Sequence, residues 1–406
     1  MHILFLTIAY PLSGSNIYTD LVEELSNQGH FVTVCVPYEN KNFGPILVSH
    51  RRNTCIFLIP TGKIMQTSPF KKGINTLLLE YRFLKAFSQL KFESIDVLLY
   101  STPPITFQKV IVWLKRKYNC ICYLMLKDIF PQNAVDLGLL KDNSTLYKYF
   151  RHKEKKLYEY SDIIGCLSPG NVNYLLKNNH DLLTLQKQIN ITPNCVSLNN
   201  NEYSLESTIV LKKYNIHKDS IKIIYGGNIG RPQGIDFIIK CIQAVKKHKT
   251  LFLTIVGSGT EFHKLKKSIT GDATNVKFLD YLPTNTYREL LECMDIGLVF
   301  LDNRFTIPNF PSRILDYMNY SKPIIACTDI ACDVKQEICD KGAGFWCRSD
   351  DINGFEKILE TLITNRTMLI NMGKESKKLF IEKYSAQTVV ANMLREIEYF
   401  KSKTLK

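Results

Sequence analysis

The chain has 406 residues, too long for one ordinary hydrophobic core and suited to two domains of about 200 residues each. With 45% hydrophobic and 22% charged residues, and only 20 Gly and 15 Pro, it is not a disordered, collagen-like or low-complexity chain. The formal net charge of +14 must face something anionic: nucleic acid, a phosphate-bearing ligand or an acidic membrane surface.

Short apolar runs alternate with amphipathic stretches, the mark of a parallel α/β sheet. In chain order the first half predicts strands over 3–8, 31–36, 55–59, 97–100, 121–126 and 163–166. Helices are expected over 17–28, 74–90, 106–116, 145–160 and 171–177. Residues 194–208, rich in Asn and Ser, read as a linker between an N-terminal Rossmann-like domain, 1–193, and a C-terminal one, 209–383. The second domain restarts with a strand over 221–225, a glycine turn and a helix over 235–246. Strands follow over 251–256, 276–278, 296–300 and 323–326. A last helix, 386–399 within the segment 384–406, is expected to pack back toward the N-terminal domain. The fold class is α/β, with two doubly wound domains facing a central cleft where such sheets bind ligands.

Twelve cysteines occur with no Cys-x-x-Cys pair, and most lie inside apolar runs, as Cys35 and Cys122 do. That is the pattern of buried free thiols in a reducing cytosol, and no metal site is expected. The longest stretch free of Asp, Glu, Lys and Arg, residues 1–19, is interrupted by Pro11, Ser13 and Gly14. It reads as a buried strand and loop, neither a membrane span nor a signal peptide.

Three segments carry the chemistry of the second domain. Tyr225-Gly226-Gly227-Asn228-Ile229-Gly230-Arg231-Pro232-Gln233-Gly234 follows a strand and opens a helix. Glycines let backbone amides approach an anion and Arg231 can add a phosphate contact, although a tight strand-to-helix turn needs the same glycines. Gly257-Ser258-Gly259 follows the next strand and suggests a second loop on the same ligand. Pro311-Ser312-Arg313-Ile314-Leu315-Asp316 places a cation and a carboxylate at i, i+3. That face can hold phosphate with Arg313 and ribose hydroxyls with Asp316, or can be a plain salt bridge. In the first domain, Lys127 and Asp128 follow an apolar strand at its carboxyl end. There a carboxylate can position a sugar hydroxyl, accept a proton or cap the next segment. Ser15 and Asn16, and Thr102 and Pro103, also follow strands and either line the acceptor side of the cleft or start helices.

Together these segments resemble the GT-B glycosyltransferases of family 4, over nearly the whole chain. The resemblance extends to Leu167-Ser168, Pro193-Asn194 and Tyr281-Leu282-Pro283. It is strongest toward the fucosamine-transferase-like subgroup of bacterial O-antigen and capsule assembly, with its Gly-Asn-Ile/Leu-Gly turn and Pro-Ser-Lys-Leu-Leu-Glu-Tyr-Met segment. The resemblance implies a retaining transfer from a sugar nucleotide, expected to be a UDP-sugar, without metal or other cofactor. The acceptor it implies is a lipid-linked saccharide. It implies donor contacts at Gly227, Asn228, Gly230, Arg231, Gln233, Gly257, Gly259, Tyr281, Pro311, Ser312, Arg313 and Asp316. Asn228 and Gln233 replace the usual Arg and Lys, leaving Arg231 and Arg313 to neutralise a diphosphate. Of the usual pair of glutamates, only Asp316 stands in, at the second position, and Pro308 occupies the first. Lys127 and Asp128 occupy the segment nearest the family's catalytic His and are the candidate catalytic residues.

Between 51 and 117, twelve Lys or Arg face only Glu80, Glu93 and Asp96. Apolar residues interleave with Lys71, Lys72, Arg82 and Lys85, so the helix can lie on an anionic membrane surface or be an ordinary domain helix with a charged face. Peripheral attachment at the inner face of the cytoplasmic membrane is the expectation. No zinc finger, RNA-reading motif or basic low-complexity tail accompanies the charge, so nucleic acid is not expected as a partner. A sugar-nucleotide epimerase sharing the fold is the competing enzyme class.

Overall fold

A computed structural model describes residues 1–39, 44–51, 53–62, 69–199, 207–269 and 274–404. The chain forms two compact units, Met1–Pro193 with Val389–Lys406, and Asn194–Thr388.

The strands of the first unit are β1 (His2–Leu6), β2 (Phe31–Tyr38), β3 (Ile46–Arg51), β4 (Thr54–Pro60), β5 (Val97–Ser101), β6 (Ile121–Leu126), β7 (Ile163–Cys166) and β8 (Gln188–Ile191). Its helices are α1 (Ile17–Asn27), α2 (Pro69–Gln89), α3 (Gln108–Tyr118), α4 (Gln132–Asp136), α5 (Thr145–Tyr160), α6 (Pro169–Asn178) and α7 (Asp181–Thr184). The sheet order is β3-β4-β2-β1-β5-β6-β7-β8. Every pairing is parallel except β3 with β4, whose register shifts between Leu47 and Ser49. A parallel strand covered on both faces needs an unbroken apolar run, and Val97-Leu98-Leu99-Tyr100-Ser101 is buried at every position. Helix starts are set locally. The Asn16 side chain accepts from the amides of Tyr18 and Thr19 to open α1, and Ser168 with Pro169 opens α6.

The second unit holds β9 (Ile221–Asn228), β10 (Leu251–Ser258), β11 (Val276–Leu279), β12 (Ile296–Phe300), β13 (Ile324–Thr328) and β14 (Gly344–Arg348). All are parallel, in the order β11-β10-β9-β12-β13-β14. Its helices are α8 (Ser207–Lys213), α9 (Ile235–Lys246), α10 (Phe262–Ser268), α11 (Thr284–Glu292), α12 (Arg313–Asn319), α13 (Val334–Cys339), α14 (Ile352–Thr364) and α15 (Arg366–Lys383). Helix α16 (Ala386–Thr404) begins here, and from Val389 its residues belong to the first unit. Its Glu396 accepts from the buried Tyr123 hydroxyl, which also meets Thr192 at 2.7 Å.

Three expectations change. The glycines after the first strand of the second unit do not form a turn outside the sheet. Strand β9 runs on through Gly226, Gly227 and Asn228, paired with Val256, Gly257 and Ser258 of β10. Of the expected linker, residues 200–206 lie outside the described residues, and its start is no loose tether. Asn194, Cys195 and Val196 are buried, and Val196 bridges Ser385. Strands β3, β8 and β14 were not expected from the sequence pattern. All three lie at sheet edges, where one-sided burial permits polar residues such as Gln188 and Asn190.

The inner face of α16 fixes the first unit's last element. Ile397 is buried and Tyr399 exposed. Ile397→Ala is therefore expected to cost roughly 2–4 kcal/mol in urea unfolding, whereas Tyr399→Ala stays within about 0.5 kcal/mol.

Candidate functional site

A doubly wound sheet opens a crevice where the chain reverses its direction of strand addition. In the second unit that point lies between β9 and β12, which are neighbours although β10 and β11 intervene in sequence. The glycine segment leaves β9 there, and the loop after β12 leads to Arg313. The loops touch, because the Asp302 amide donates to the Pro232 carbonyl at 2.9 Å.

The end of β9 is built to be bare of side chains. A Cβ on Gly226 would fall 2.3 Å from the Tyr287 hydroxyl, so no other residue fits. The Gly226 amide donates to the Tyr317 hydroxyl at 3.1 Å, and that hydroxyl in turn donates to the Leu298 carbonyl at 3.2 Å. Gly257 has φ +149°, and a Cβ there would lie 1.9 Å from the Gly227 carbonyl oxygen. The two glycine segments meet backbone to backbone.

Arg313 comes to the same point from α12. Its guanidinium carbon stands 4.4 Å from the centre of the Tyr225 ring, and a Cβ on Gly227 would be 3.4 Å from that carbon. One terminal nitrogen, Nη1, is buried without a hydrogen-bond partner among the described residues. An unmet buried donor costs roughly 1–3 kcal/mol, more when charged. An anion against Gly227 would relieve that cost, and its attraction to the guanidinium is strengthened where tyrosine rings displace water.

The remaining candidates divide. Gln233 is buried, and its side-chain oxygen accepts from the Gly230 amide at 2.9 Å and from Asn228 Nδ2 at 3.3 Å. These residues hold the turn together. Arg231 is largely exposed, with Nε 3.9 Å from Glu261. Gly259 packs on the Ile229 carbonyl, and Tyr281 is exposed. Pro311 and Ser312 lead into α12, and the Ser312 side chain makes no capping bond. The Arg313–Asp316 pairing allowed by their spacing is not what forms. Asp316 Oδ1 lies 3.7 Å from Arg288 on α11, a residue the sequence pattern did not single out. Tyr287, which packs over Gly226, was also missed because α11 was not expected.

In the first unit the reversal lies between β1 and β5. Thr102, at the end of β5, is buried, and its Oγ1 accepts from the amides of Lys127 and Asp128 at 2.9 and 3.1 Å. It donates to the Asp128 carbonyl at 3.1 Å. This hydroxyl welds Pro103's loop to the end of β6. Burial pushes the Asp128 carboxyl up to about 6. Burial likewise pushes Tyr18 of α1 up to about 12, with the nearby Asp128 charge adding to the effect. Lys127 acts on the Cys166 thiol at the end of β7, opposing the rise that burial causes. Asn16 takes the capping role, and its Nδ2 also donates to the Ala9 carbonyl at 2.7 Å, with Ser15 half-buried beside it. Among the described residues no three His, Cys, Asp or Glu are grouped to hold a metal, and no helix is long and apolar enough to cross a membrane.

Two such doubly wound units, each with its loops at the carboxyl ends of its strands, are the GT-B glycosyltransferase fold. Residues 207–379 match the family model for glycosyl transferases group 1, so the second unit carries a glycosyltransferase group 1 domain. The chain is similar to sucrose-phosphate synthase from Thermosynechococcus elongatus, with a TM-score of 0.77, 15% identity and 99% of each chain covered. It is similar to Anabaena HepE, solved in complex with UDP, with a TM-score of 0.65 and 13% identity over 98% of this chain and 100% of that one. It is 25% identical over 275 residues to a Pseudomonas aeruginosa protein named probable glycosyltransferase WbjE. That match covers 66% of this chain, and the chain spans 66% of that curated relative's length. These matches do not favour the epimerase class.

The Asp128 carboxyl makes a testable contribution to stability. Folded protein keeps its proton up to about pH 6, whereas an unfolded Asp releases it near 4. The favourable linkage is full below pH 4 and lost as pH rises through 6. Asp128→Asn should therefore be more stable than wild type at pH 8, on the order of 2 kcal/mol after allowing for partial solvation. The advantage should shrink toward zero below pH 4 in chemical denaturation.

Proposed function

We propose that the protein is a retaining hexosyl-type glycosyltransferase using a UDP-sugar donor and a lipid-linked saccharide acceptor. Its setting is bacterial surface polysaccharide assembly, O-antigen or capsule, at the cytoplasmic face of the membrane. The subgroup resemblance favours an N-acetylated deoxyhexosamine as the transferred sugar. The observation that carries the reading is Arg313, stacked on Tyr225 with a buried unpartnered nitrogen beside the bare Gly227. UDP in the structure of Anabaena HepE supports the choice of nucleotide.

In the reaction the bond from the sugar's anomeric carbon to the diphosphate breaks, and a bond to an acceptor hydroxyl oxygen forms on the same face. UDP departs with the bonding electrons. Arg313 stabilises the charge that develops on the leaving oxygen. The acceptor proton passes to that phosphate oxygen. Asp128, with a carboxyl poised near neutrality, orients the acceptor hydroxyl, and Thr102 fixes the backbone that carries it. Asp316 reaches the ribose while paired with Arg288. No metal or other cofactor enters this reading.

UDP at about 100 times its dissociation constant should add roughly 2.7 kcal/mol of stability. In thermal-shift measurements Arg313→Ala should lose most of this response. Arg231→Ala, whose side chain is 62% exposed, should keep it. An unchanged response in Arg313→Ala would sink the assignment.

For the membrane, α2 presents Leu78, Tyr81 and Lys85 on one exposed stripe. The side chains of Arg51, Arg52, Lys63, Lys71 and Lys72 lie outside the described residues. Co-sedimentation with vesicles of 70% phosphatidylcholine and 30% phosphatidylglycerol should be strong at low salt and fade as salt rises. Each cation near an anionic surface is worth about 1 kcal/mol, so Lys85→Gln should weaken it about fivefold. The UDP response should not change.

A further inference from the structure

The ladder between β9 and β12 stops early. Strand β9 pairs with β10 along its whole length, ending with Asn228 opposite Ser258. With β12 it pairs only at Ile223 with Ile296 and at Ile224 with Gly297. Continued along the strands, that register sets Gly226 opposite Val299. A parallel ladder would there carry its next bond from the Gly226 amide to the Leu298 carbonyl. The Tyr317 hydroxyl sits in the middle of that missing bond. It accepts from the Gly226 amide at 3.1 Å and donates to the Leu298 carbonyl at 3.2 Å. Where a sheet would make one contact of about 2.9 Å, the strands are joined through two. The wedge stands at the reversal point, where the crevice opens.

The insertion is built from both sides. A Cβ on Gly297 of β12 would fall 2.2 Å from the Tyr317 ring, so that strand also gives up a side chain to seat it. Tyr287 of α11, which occupies the space that a Cβ on Gly226 would need, hydrogen-bonds to the Tyr317 hydroxyl. The Tyr317 oxygen thus gives one bond and meets two further groups, its full capacity. Filling the core needs none of this, because phenylalanine has nearly the same volume. On α12, Tyr317 and Arg313 are four residues apart and share a face. Tyr317 anchors that face to Gly226, and Arg313 then reaches the next residue, Gly227. The Tyr225 ring beneath the guanidinium is tied down as well, its hydroxyl donating to the Asn228 carbonyl at 2.7 Å.

We propose that Tyr317 is a positioning residue of the donor site: its hydroxyl, wedged into the β9–β12 ladder, sets the place at which Arg313 meets a diphosphate. The proposal rests on the transferase reading for the identity of the ligand. It concerns the diphosphate and not the nucleoside, and it is tested by binding without turnover.

Tyr317→Phe keeps the ring and removes the wedge. The full chain is titrated with UDP by calorimetry and with uridine, which lacks both phosphates, by saturation-transfer NMR. Tyr317→Phe should bind UDP ten or more times more weakly, while its affinity for uridine changes less than twofold. A core that had merely loosened would weaken the two alike. Tyr317→4-aminophenylalanine, whose amino group both donates and accepts, should bring UDP affinity back to within threefold of wild type. If Tyr317→Phe fails to fold, Tyr287→Phe, at a residue only half-buried, should show the same selective loss, three- to tenfold. The proposal is overturned if the folded variant binds UDP as wild type does, if UDP and uridine weaken equally, or if 4-aminophenylalanine does not restore binding. Wild type that binds no UDP would remove the donor reading instead. ADP and GDP with their nucleosides then carry the same comparison, and failure of all three diphosphates to bind removes the proposal too.

Discussion

How near Arg313 can come to the end of β9 decides the character of the second unit. A side chain at Gly227 would meet the guanidinium, and one at Gly226 would collide with Tyr287. The glycines therefore serve two purposes. They keep the strand end free of side-chain bulk, and they admit a cation from another element to the same spot. Sheet order makes this possible, because β12 lies directly beside β9 and the loop leaving it delivers α12 to the strand end. The contact at Gly257 completes the arrangement by denying side-chain bulk on the other flank.

Both units carry groups that folding alone would not choose. Arg313 buries a donor nitrogen without a partner among the described residues, and Asp128 holds a carboxyl where water is scarce. Each lowers the stability of the empty protein, and each sits at the carboxyl end of a parallel sheet. Stability surrendered at such positions is the common signature of a surface meant to meet a ligand. The second glycine segment shows the opposite economy. There Gln233 ties Gly230 and Asn228 together, so polar groups that the sequence offers for a ligand are spent on shape.

Much of the architecture was legible in the sequence because fully buried parallel strands must be continuous apolar runs. The stretches 121–126, 163–166 and 296–300 coincide with β6, β7 and β12, and helices 145–160 and 235–246 with α5 and α9. Three of the four edge strands escaped notice because only part of their surface is covered. Strand β3 ends in His50 and Arg51, and β8 alternates Gln188, Ile189, Asn190 and Ile191. Of the candidate site, the glycine segments and Arg313 stood out as separate motifs. Their meeting did not, since it depends on strand order and on three tyrosines from β9, α11 and α12. Tyrosines in apolar helices look like any other core residue. The pairing of Asp316 with Arg288 was hidden for the same reason, the partner lying 28 positions away on an unforeseen helix.

The return of α16 to the first unit has a temporal side. Residues Val389–Lys406 belong to a unit whose other residues end at Pro193, so the whole of Asn194–Thr388 is synthesised in between. At about 5–20 residues per second, that interval lasts roughly 10–40 s. Throughout it the pocket destined for Val389, Val390, Met393 and Ile397 stands open beside Tyr123. The second unit can close its core first, while the first must wait for α16. A nascent chain stalled before Val389 would thus present the second unit joined to an unsealed first one, with an apolar surface for chaperones to find.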